Sequence, residues 1–274
     1  MSSMARVLIA AGSDSGGGAG IQADTKTVTA LGGFATTAVT ALTAQNTLGV
    51  QGIDPVEPEF IGRQMASILD DMGADCGKTG MLPSRQVIET VADGWAKRGK
   101  GAPLVVDPVM IAQSGDRLIE DEAVQALIGQ LIPLATLITP NLPEAEVLAG
   151  RSLGDDEDPA SLAHELLATG CGAVLVKGGH RTGGEEVVDV LMRSHAEPVY
   201  LRYPRVTTQH THGTGCTLGS GIAAGLGQGR ALVAAVQRAR AYLQRALELA
   251  PGIGAGAGPV HHGHTVSSFE ARDS

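Results

Sequence analysis

The chain has 274 residues, of which 43% are hydrophobic, and a formal net charge of −9 at pH 7. It has no apolar run of about 18 residues and no signal-peptide pattern, so we expect no membrane span and a cytoplasmic location. The acidic balance and the lack of Lys/Arg clusters argue against nucleic acid or anionic membranes as partners and favour a small-molecule ligand.

The three cysteines, Cys76, Cys171 and Cys216, are far apart and form no C-x-x-C pair. This spacing argues against a disulfide framework and against a zinc site. Glycine accounts for 38 residues, about twice its usual share, and it clusters in stretches that are typical of ligand-approach loops. These stretches are 12–20, 177–184, 213–229 and 252–258. Disorder is the alternative for the last of them.

Short apolar runs alternate with amphipathic stretches along the chain, which predicts strands alternating with helices. The predicted strands span 6–11, 34–44, 50–53, 78–81, 103–107, 135–139, 173–177, 187–192 and 199–203. The predicted helices span 21–31, 57–72, 84–98, 120–131, 159–169, 214–226 and 231–249, and another opens at 140–144. Since no linker interrupts the alternation, we predict one α/β domain over residues 1–274. Its sheet is mostly parallel, covered on both faces, and ends in an antiparallel pair formed by the last two strands.

Two loops are candidates for ligand contact. The first strand opens into the glycine-rich segment 12–20, which could cradle a phosphate but lacks the G-x-G-x-x-G spacing of dinucleotide-binding proteins. Asp24, in the first turn of the following helix, is either a solvated charge at a helix N-terminus or a ligand-facing carboxylate. The polar segment 110–117, which contains Gln113-Ser114-Gly115-Asp116, is either a lid or an ordinary loop.

Polar side chains follow several predicted strands, where ligands gather in open α/β sheets. Gln45 follows the strand 34–44 and is a candidate substrate-binding amide, with a turn-forming role as the alternative. Asp107 ends the apolar strand 103–107, where a charge is rarely placed for packing alone. Glu144 lies near the start of a helix and is either a partner of the helix dipole or a functional carboxylate.

Residues 73–79 resemble a Walker A loop at first sight. Only three positions separate Gly73 from the triplet Gly77-Lys78-Thr79, whereas the P-loop requires four. We therefore reject a P-loop here and predict a strand through Lys78.

The stretch Thr211–Gly221 is the strongest candidate for the chemistry. Its Gly213-Thr214-Gly215 turn leads directly into a helix of small residues, which aims backbone N–H groups and the positive end of the helix dipole at one point. That point favours an anion. Cys216 lies in the first turn, where the same field is expected to favour a thiolate. The alternative is a glycine-rich helix start with a small buried cysteine.

The chain ends in a histidine cluster, His261, His262 and His264. Clustered histidines can bind a metal ion. We favour packing of the tail.

Nine sequence strings together closely resemble the bacterial hydroxymethylpyrimidine/phosphomethylpyrimidine kinases of thiamine biosynthesis, in the ribokinase-like superfamily. The strings are AGSDSGGGAGIQAD, TALTAQNTLGV, KTGML, DPVM, SGD, LITPNLPEAE, VLVKGGH, THGTGCTLGSGIAAGL and GPVHH. The resemblance covers about residues 6–262 and implies a three-layer α/β sandwich and a homodimer. It also implies that ATP and Mg²⁺ are used to phosphorylate 4-amino-5-hydroxymethyl-2-methylpyrimidine and then its monophosphate.

The same resemblance implies roles for single residues. Gly213, Thr214 and Gly215 would form an anion hole for the transferring phosphate, and Cys216 would be the base on the substrate hydroxyl. Gln45 would pair with the ring nitrogen and amino group of the pyrimidine. The other implied site residues are Gly12, Ala19, Asp24, Met81 and Val109 in the pocket wall, Asn141, Lys177 and Thr208 at the nucleotide, and Glu144 with Asp107 at magnesium.

Two alternatives accompany this prediction. A pyridoxal/pyridoxine kinase is the nearer one, because relatives with the same motifs accept that ring, which also carries a hydroxymethyl group. A catalytically inactive pyrimidine-binding regulator on the same scaffold is the alternative from another class. The intact Gly213–Cys216 turn and Glu144 argue against such a regulator.

Overall fold

The structure is a computed structural model that describes residues 4–110, 121–154, 156–180 and 184–267. The strands of this part of the chain are, in most cases, separated from one another by helices. They are β1 (Arg6–Ala11), β2 (Phe34–Val39), β3 (Ala41–Asn46), β4 (Gly49–Pro55), β5 (Cys76–Thr79), β6 (Leu104–Val106), β7 (Leu137–Ile138), β8 (Ala173–Val176), β9 (Glu186–Arg193) and β10 (Val199–Pro204). The candidate lid residues Gln113–Asp116 lie outside the described residues.

The helices match the predicted ones to within a few residues at each end. They are α1 (Gly20–Ala30), α2 (Pro58–Asp71), α3 (Arg85–Arg98), α4 (Asp121–Ala126), α5 (Leu142–Ala149), α6 (Ala160–Leu167), α7 (Thr214–Gly227) and α8 (Leu232–Glu248). After α4 the chain continues as a π-helical segment, Leu127–Leu131, and a 3₁₀ turn. None of the described helices is both long and apolar enough to cross a bilayer.

In the described residues the main sheet has eight strands in the order β10-β9-β8-β7-β6-β5-β1-β2. Neighbouring strands from β2 to β8 are parallel, whereas β8, β9 and β10 pair in antiparallel fashion. The mostly parallel sheet and the antiparallel pair at its edge are therefore confirmed.

Helices cover both faces of this sheet, and β1 illustrates the reason. Its side chains alternate between two cores, because successive residues of a strand point to opposite faces. Leu8 and Ala10 belong to the core that α2 to α6 cover, whereas Val7, Ile9 and Ala11 belong to the core that α1, α7 and α8 cover. A strand buried on both faces reads as a continuous apolar run. The three-layer α/β arrangement is confirmed.

The predicted strand 34–44 is wrong in one respect, because it is two strands in two different sheets. Thr40 is buried between β2 and β3, where its hydroxyl donates to the Met81 carbonyl oxygen at 2.7 Å. From there β3 leaves the main sheet and pairs antiparallel with β4 in a separate two-stranded sheet. Gln45 consequently lies in β3, beside a bulge at Ala44, and not at the end of a main-sheet strand.

The fold also shows what residues 73–79 and the histidine tail do. Cys76–Thr79 is the buried strand β5 and not a phosphate-binding loop, which confirms the rejection. In the tail, Nε2 of His262 lies 3.0 Å from the hydroxyl of Thr217, and the ring of His264 stacks on Tyr242. Burial lowers the pKa of His262 to about 4. His262 thus packs against α7 and His264 against α8, as expected for the tail, whereas His261 is exposed.

Candidate active site

A cavity of about 620 Å³ opens where the parallel strands end and α7 begins. It draws its lining from both halves of the chain, which only the fold brings together. The predicted site residues that line it are Gly12, Ala19, Gln45, Met81, Asp107, Val109, Asn141, Glu144, Lys177, Gly213, Thr214, Gly215 and Cys216. The sheet therefore gathers nearly all of the candidate residues at one place.

The anion turn, residues 213–216, forms one wall of the cavity. Gly213 has a φ of +83° and directly precedes α7, whose first N–H groups have no acceptor within the helix. A Cβ on Gly213 would overlap the carbonyl oxygen of Gly18, so glycine is required there by conformation and by space. A Cβ on Gly215 would lie 3.4 Å from both Lys177 Nζ and Asp107 Oδ2. A cation and a carboxylate thus border the start of the helix.

Cys216 faces the cavity and is partly exposed. The expectation that the helix field lowers its pKa is wrong for the ligand-free protein: burial raises the pKa to about 12. Lys78 favours the thiolate, but the carboxylates of Asp24 and Asp107 oppose it. Loss of solvation and these two negative charges outweigh the attraction of the Lys78 ammonium. Cys216 is therefore a neutral thiol at neutral pH.

Asp24 lies beneath the cavity and not in its wall, contrary to the expected role. It is fully buried, and both of its carboxylate oxygens lie 2.9 Å from Nζ of Lys78. Ser220 donates to Oδ1 at 2.6 Å. Burial opposes the charge of Lys78, but the carboxylates of Asp24 and Asp107 outweigh it and raise the pKa of Lys78. Burial in turn raises the pKa of Asp24.

Sequence reasoning missed Lys78 as a site residue, although it lines the cavity. A signal was present, since a lysine within a strand covered on both faces needs a buried partner. Asp24 was such a partner, but nothing local in the sequence joins two residues 54 positions apart.

Lys177 is the centre of a second charged group. Its Nζ lies 2.8 Å from Asp107 Oδ1 and 3.8 Å from Glu144 Oε2. Thr139 also donates to Asp107. Burial would raise the pKa of Asp107, but the charges of Lys177 and Lys78 hold it below its usual range. Burial raises the pKa of Glu144 to about 7 even though Lys177 opposes this.

Asn141 and Glu144 form the start of α5 together. The Asn141 side chain accepts from the Glu144 N–H at 2.9 Å, and Glu144 Oε2 accepts from the Asn141 N–H at 2.8 Å. This reciprocal capping box satisfies two otherwise unpaired backbone donors. The helix-end role that we weighed for Glu144 is thus present, and the same carboxylate also faces Lys177 in the cavity.

The carboxylates of Asp107 and Glu144 fit magnesium only in a limited sense. Among the described residues, no group of three or more His, Cys, Asp and Glu side chains is placed to hold a metal ion. Mg²⁺ often uses one or two protein carboxylates together with substrate phosphates and water. The donor set therefore suits an ion that is delivered with a nucleotide.

Gln45 lines another part of the cavity. Its backbone N–H bonds to the hydroxyl of Ser15 at 2.8 Å, and Thr43 Oγ1 lies 3.1 Å from Gln45 Oε1. Within the described part of the chain, the amide nitrogen has no hydrogen-bond partner. Nearby, a Cβ on Gly12 would lie 3.4 Å from Met81 Sδ, so glycine leaves room beside the thioether. The part of the cavity beside Gln45 can hold a small ring that offers both an acceptor and a donor.

The glycine loop, residues 14–19, is not an open phosphate cradle as the sequence suggested. The buried carboxylate of Asp14 accepts the N–H groups of Gly16, Gly18 and Ala19 at 2.8, 2.9 and 2.8 Å. His212 Nε2 adds a contact of 2.8 Å. Burial opposes the charge of Asp14, but His212 and the loop amides outweigh it and lower its pKa. The loop already encloses an anion from its own chain.

The cavity extends beyond Lys177 toward β10 and α8. Here Arg240 Nε pairs with Asp189 Oδ2 at 3.0 Å, and the guanidinium lies 4.4 Å from the ring centre of Tyr203. Asp189 also accepts the Gly178 N–H. Sequence reasoning missed this buried pair. Thr208, expected at the nucleotide, is not among the cavity-lining residues, and its hydroxyl accepts from the backbone N–H of His210.

Comparisons with known proteins agree with this site. The family model described as phosphomethylpyrimidine kinase matches residues 14–261. A hydroxymethylpyrimidine/phosphomethylpyrimidine kinase from Rhizobium meliloti is 48% identical, over 93% of this chain and 95% of its own. A solved Bacillus subtilis pyridoxal kinase is 36% identical with a TM-score of 0.87, covering 95% of this chain and 98% of its own. A Clostridium difficile phosphomethylpyrimidine kinase is 38% identical with a TM-score of 0.77, covering 89% and 99%.

Proposed function

The chain belongs to the phosphomethylpyrimidine kinase family and is a hydroxymethylpyrimidine/phosphomethylpyrimidine kinase, and we propose that it performs both phosphorylations in the one cavity described above. One observation carries this proposal: the amide of Gln45 and the anion turn, with Cys216 and Lys177, line the same space. A ring held at one end can thus present its hydroxyl to a phosphate held at the other.

Gln45 recognises the aminopyrimidine. Its amide nitrogen donates to the ring nitrogen, and Oε1 accepts from the exocyclic amino group while keeping a lone pair for Thr43. Met81, opposite Gly12, packs on the ring face. The hydroxymethyl group then points toward Cys216.

ATP donates the γ-phosphoryl group, which the N–H groups of the anion turn and the ammonium of Lys177 stabilise as charge builds up on its oxygens. The substrate oxygen forms the new P–O bond while the bond to the ADP oxygen breaks. Cys216 accepts the hydroxyl proton. Cys216 can do so only as the thiolate, so its own proton must first pass to solvent water, which the burial and the nearby carboxylates make costly at neutral pH.

When bound with ATP, Mg²⁺ would neutralise phosphate charge, and Asp107 and Glu144 are the residues that would hold it. Asn141 positions Glu144 through the capping box. Lys177, between these two carboxylates, keeps them from repelling one another.

The monophosphate is the acceptor in the second step, so the same site must admit a phosphate where a hydroxyl had been. Product analysis by mass after mixing with the hydroxymethylpyrimidine and excess ATP tests this: the monophosphate should rise first and the diphosphate should follow. A protein that stops at the monophosphate would contradict the two-step proposal.

Pyridoxal phosphorylation is the second candidate, supported by the similarity to solved pyridoxal kinases. The same assay with pyridoxal decides it, and we expect the pyrimidine to be the better substrate by kcat/KM. ATP turnover that depends on either ring would exclude an inactive regulator. The family resemblance also supports a homodimer, which light scattering on the purified protein would test. It likewise supports a cytoplasmic location, which fractionation of cells would test.

A further inference from the structure

The glycine loop and the anion turn come from opposite ends of the chain and touch along one side of the cavity. His212, directly before the anion turn, reaches across this contact to Asp14, 198 positions away, with 2.8 Å between Nε2 and Oδ2. Both side chains are buried, with 10% of the His212 side chain and 2% of the Asp14 side chain exposed. The role of neither residue follows from the transfer chemistry described above.

Asp14 organises the whole glycine loop. Its Oδ1 accepts the Gly16 N–H, and its Oδ2 accepts the Gly18 and Ala19 N–H groups and contacts His212, so both oxygens are engaged. Gly17 completes the loop with a φ of +74°. A carboxylate with these donors is held in one orientation, and His212 is its link to the rest of the protein.

The approach of His212 depends on missing side chains. A Cβ on Gly18 would lie 2.5 Å from His212 Cδ2 and 3.1 Å from Pro259 Cβ. A Cβ on Gly213 would overlap the carbonyl oxygen of Gly18. The two loops therefore pack more closely than side chains at these positions would allow.

The C-terminal segment supports His212 from behind. The His212 N–H donates to the Gly258 carbonyl oxygen at 3.1 Å, and His212 pairs with Pro259 as an isolated parallel bridge. The ring is thus fixed at its backbone and at Nε2. Because both its backbone and its Nε2 are held, the His212 side chain fixes the position of Asp14 relative to the anion turn.

We propose that His212 is a positioning residue that, through Asp14, locks the glycine loop against the anion turn. This rests on the proposed function, in which the pyrimidine binds beside the loop and the phosphate binds at the turn. When His212 contacts Asp14, the acceptor oxygen of the pyrimidine and the γ-phosphorus of ATP are held at the distance and orientation that transfer requires. Without this contact, the ring is bound less firmly and transfer slows, because small misplacements of reacting groups are costly.

The test compares His212→Asn, whose amide is too short to reach Asp14, with His212→Gln, whose amide nitrogen can take the place of Nε2. We expect His212→Asn to lower kcat/KM for the pyrimidine by about 10- to 100-fold, with a rise in its KM and little change in the KM for ATP. His212→Gln should restore most of this loss. His164→Asn, at an exposed histidine of α6, is the matched control. Equal loss in both His212 variants would overturn the proposal.

A second measurement needs neither substrate nor activity. Amide hydrogen exchange of Gly16, Gly18 and Ala19 in the ligand-free protein should be faster in His212→Asn than in the wild type, and slowed again in His212→Gln. If His212→Asn does not fold, Gly18→Ala, which displaces the ring, should show the same exchange pattern. Unchanged exchange would overturn the lock even if the kinase assignment holds. A lower Tm with unchanged kcat/KM of the folded enzyme would show a merely structural residue.

Discussion

The ammonium nitrogen of Lys177 lies 2.8 Å from Oδ1 of Asp107, at the border of the first turn of α7. Glu144 is the third member of this group, with 3.8 Å between its Oε2 and Lys177 Nζ. One cation thus faces two buried carboxylates. The carboxylate without the close contact, Glu144, is the one whose pKa burial raises to about 7.

The first prediction concerns pH and stability. Glu144 binds its proton more tightly in the folded protein than in the unfolded chain, where its pKa is near 4.5. The extra stability that proton binding to Glu144 gives the folded protein is therefore complete below about pH 4.5 and is lost as the pH rises to about 7. Between these values, in EDTA, the wild type should lose up to about 3 kcal/mol of unfolding free energy relative to Glu144→Gln.

Urea denaturation of both proteins across this range measures the difference. Glutamine keeps an oxygen for the capping box, so α5 stays intact. Glu59→Gln, at an exposed position of α2, should show no such difference from the wild type. If the unfolding free energies of the wild type and Glu144→Gln change with pH in parallel, the pKa of Glu144 is not raised in the folded protein.

The second prediction tests Cys216 as the base. Cys216→Ala should lower kcat by about 10²–10⁴-fold and leave the Kd values for pyrimidine and nucleotide near those of the wild type. Cys216→Ser should be nearly as damaging, because a hydroxyl gives up its proton less readily than a thiol. Single-turnover rates and melting temperatures are measured on the same preparations. Because the pKa of Cys216 is about 12, the fraction of thiolate grows as the pH rises. We therefore expect the wild-type kcat/KM to rise with pH through the neutral range.

Cys171 provides the matched control, since it is a buried cysteine outside the cavity lining. Cys171→Ala should lower Tm modestly and leave the single-turnover rate unchanged. If Cys216→Ala behaves in the same way, the base assignment falls while the kinase assignment stands.

A third prediction concerns recognition by Gln45. Gln45→Leu removes both hydrogen bonds to the ring, and an unsatisfied polar edge of the substrate costs about 1–3 kcal/mol. The KM for the pyrimidine should therefore rise by about 10- to 100-fold, with ATP binding unchanged. Gln51→Leu, an exposed glutamine of the same two-stranded sheet, should have no effect. Unchanged pyrimidine binding in calorimetry would remove Gln45 from the site.

The fourth prediction concerns the ion pair beneath the cavity. Lys78→Met leaves the carboxylate of Asp24 buried without its cation, which typically costs about 3–5 kcal/mol of stability. Adding Asp24→Asn should recover part of this loss, because it removes the uncompensated charge. The exposed pair Lys97–Asp93 has a similar distance, 2.8 Å, yet Lys97→Met should cost less than about 1 kcal/mol. Equal costs in urea denaturation would show that Asp24 is not ionised in the folded protein.

The sequence by itself determined the order and type of the elements. Apolar runs such as Val7–Ala11 identify buried strands, and the glycine-to-helix transition at Gly213 identifies the start of α7. These signals are local, since each depends on periodicity and backbone preference within a few residues. The resemblance in nine strings added the candidate roles, and most of those residues do line one cavity.

Only the tertiary structure decided the electrostatics of the site. The raised pKa of Cys216 reflects desolvation and the charges of Asp24 and Asp107, residues more than a hundred positions away in the chain. The closed glycine loop likewise depends on the contact of Asp14 with His212. Burial and charge–charge distance exist only once distant segments meet, whereas strand and helix patterns are written within each segment.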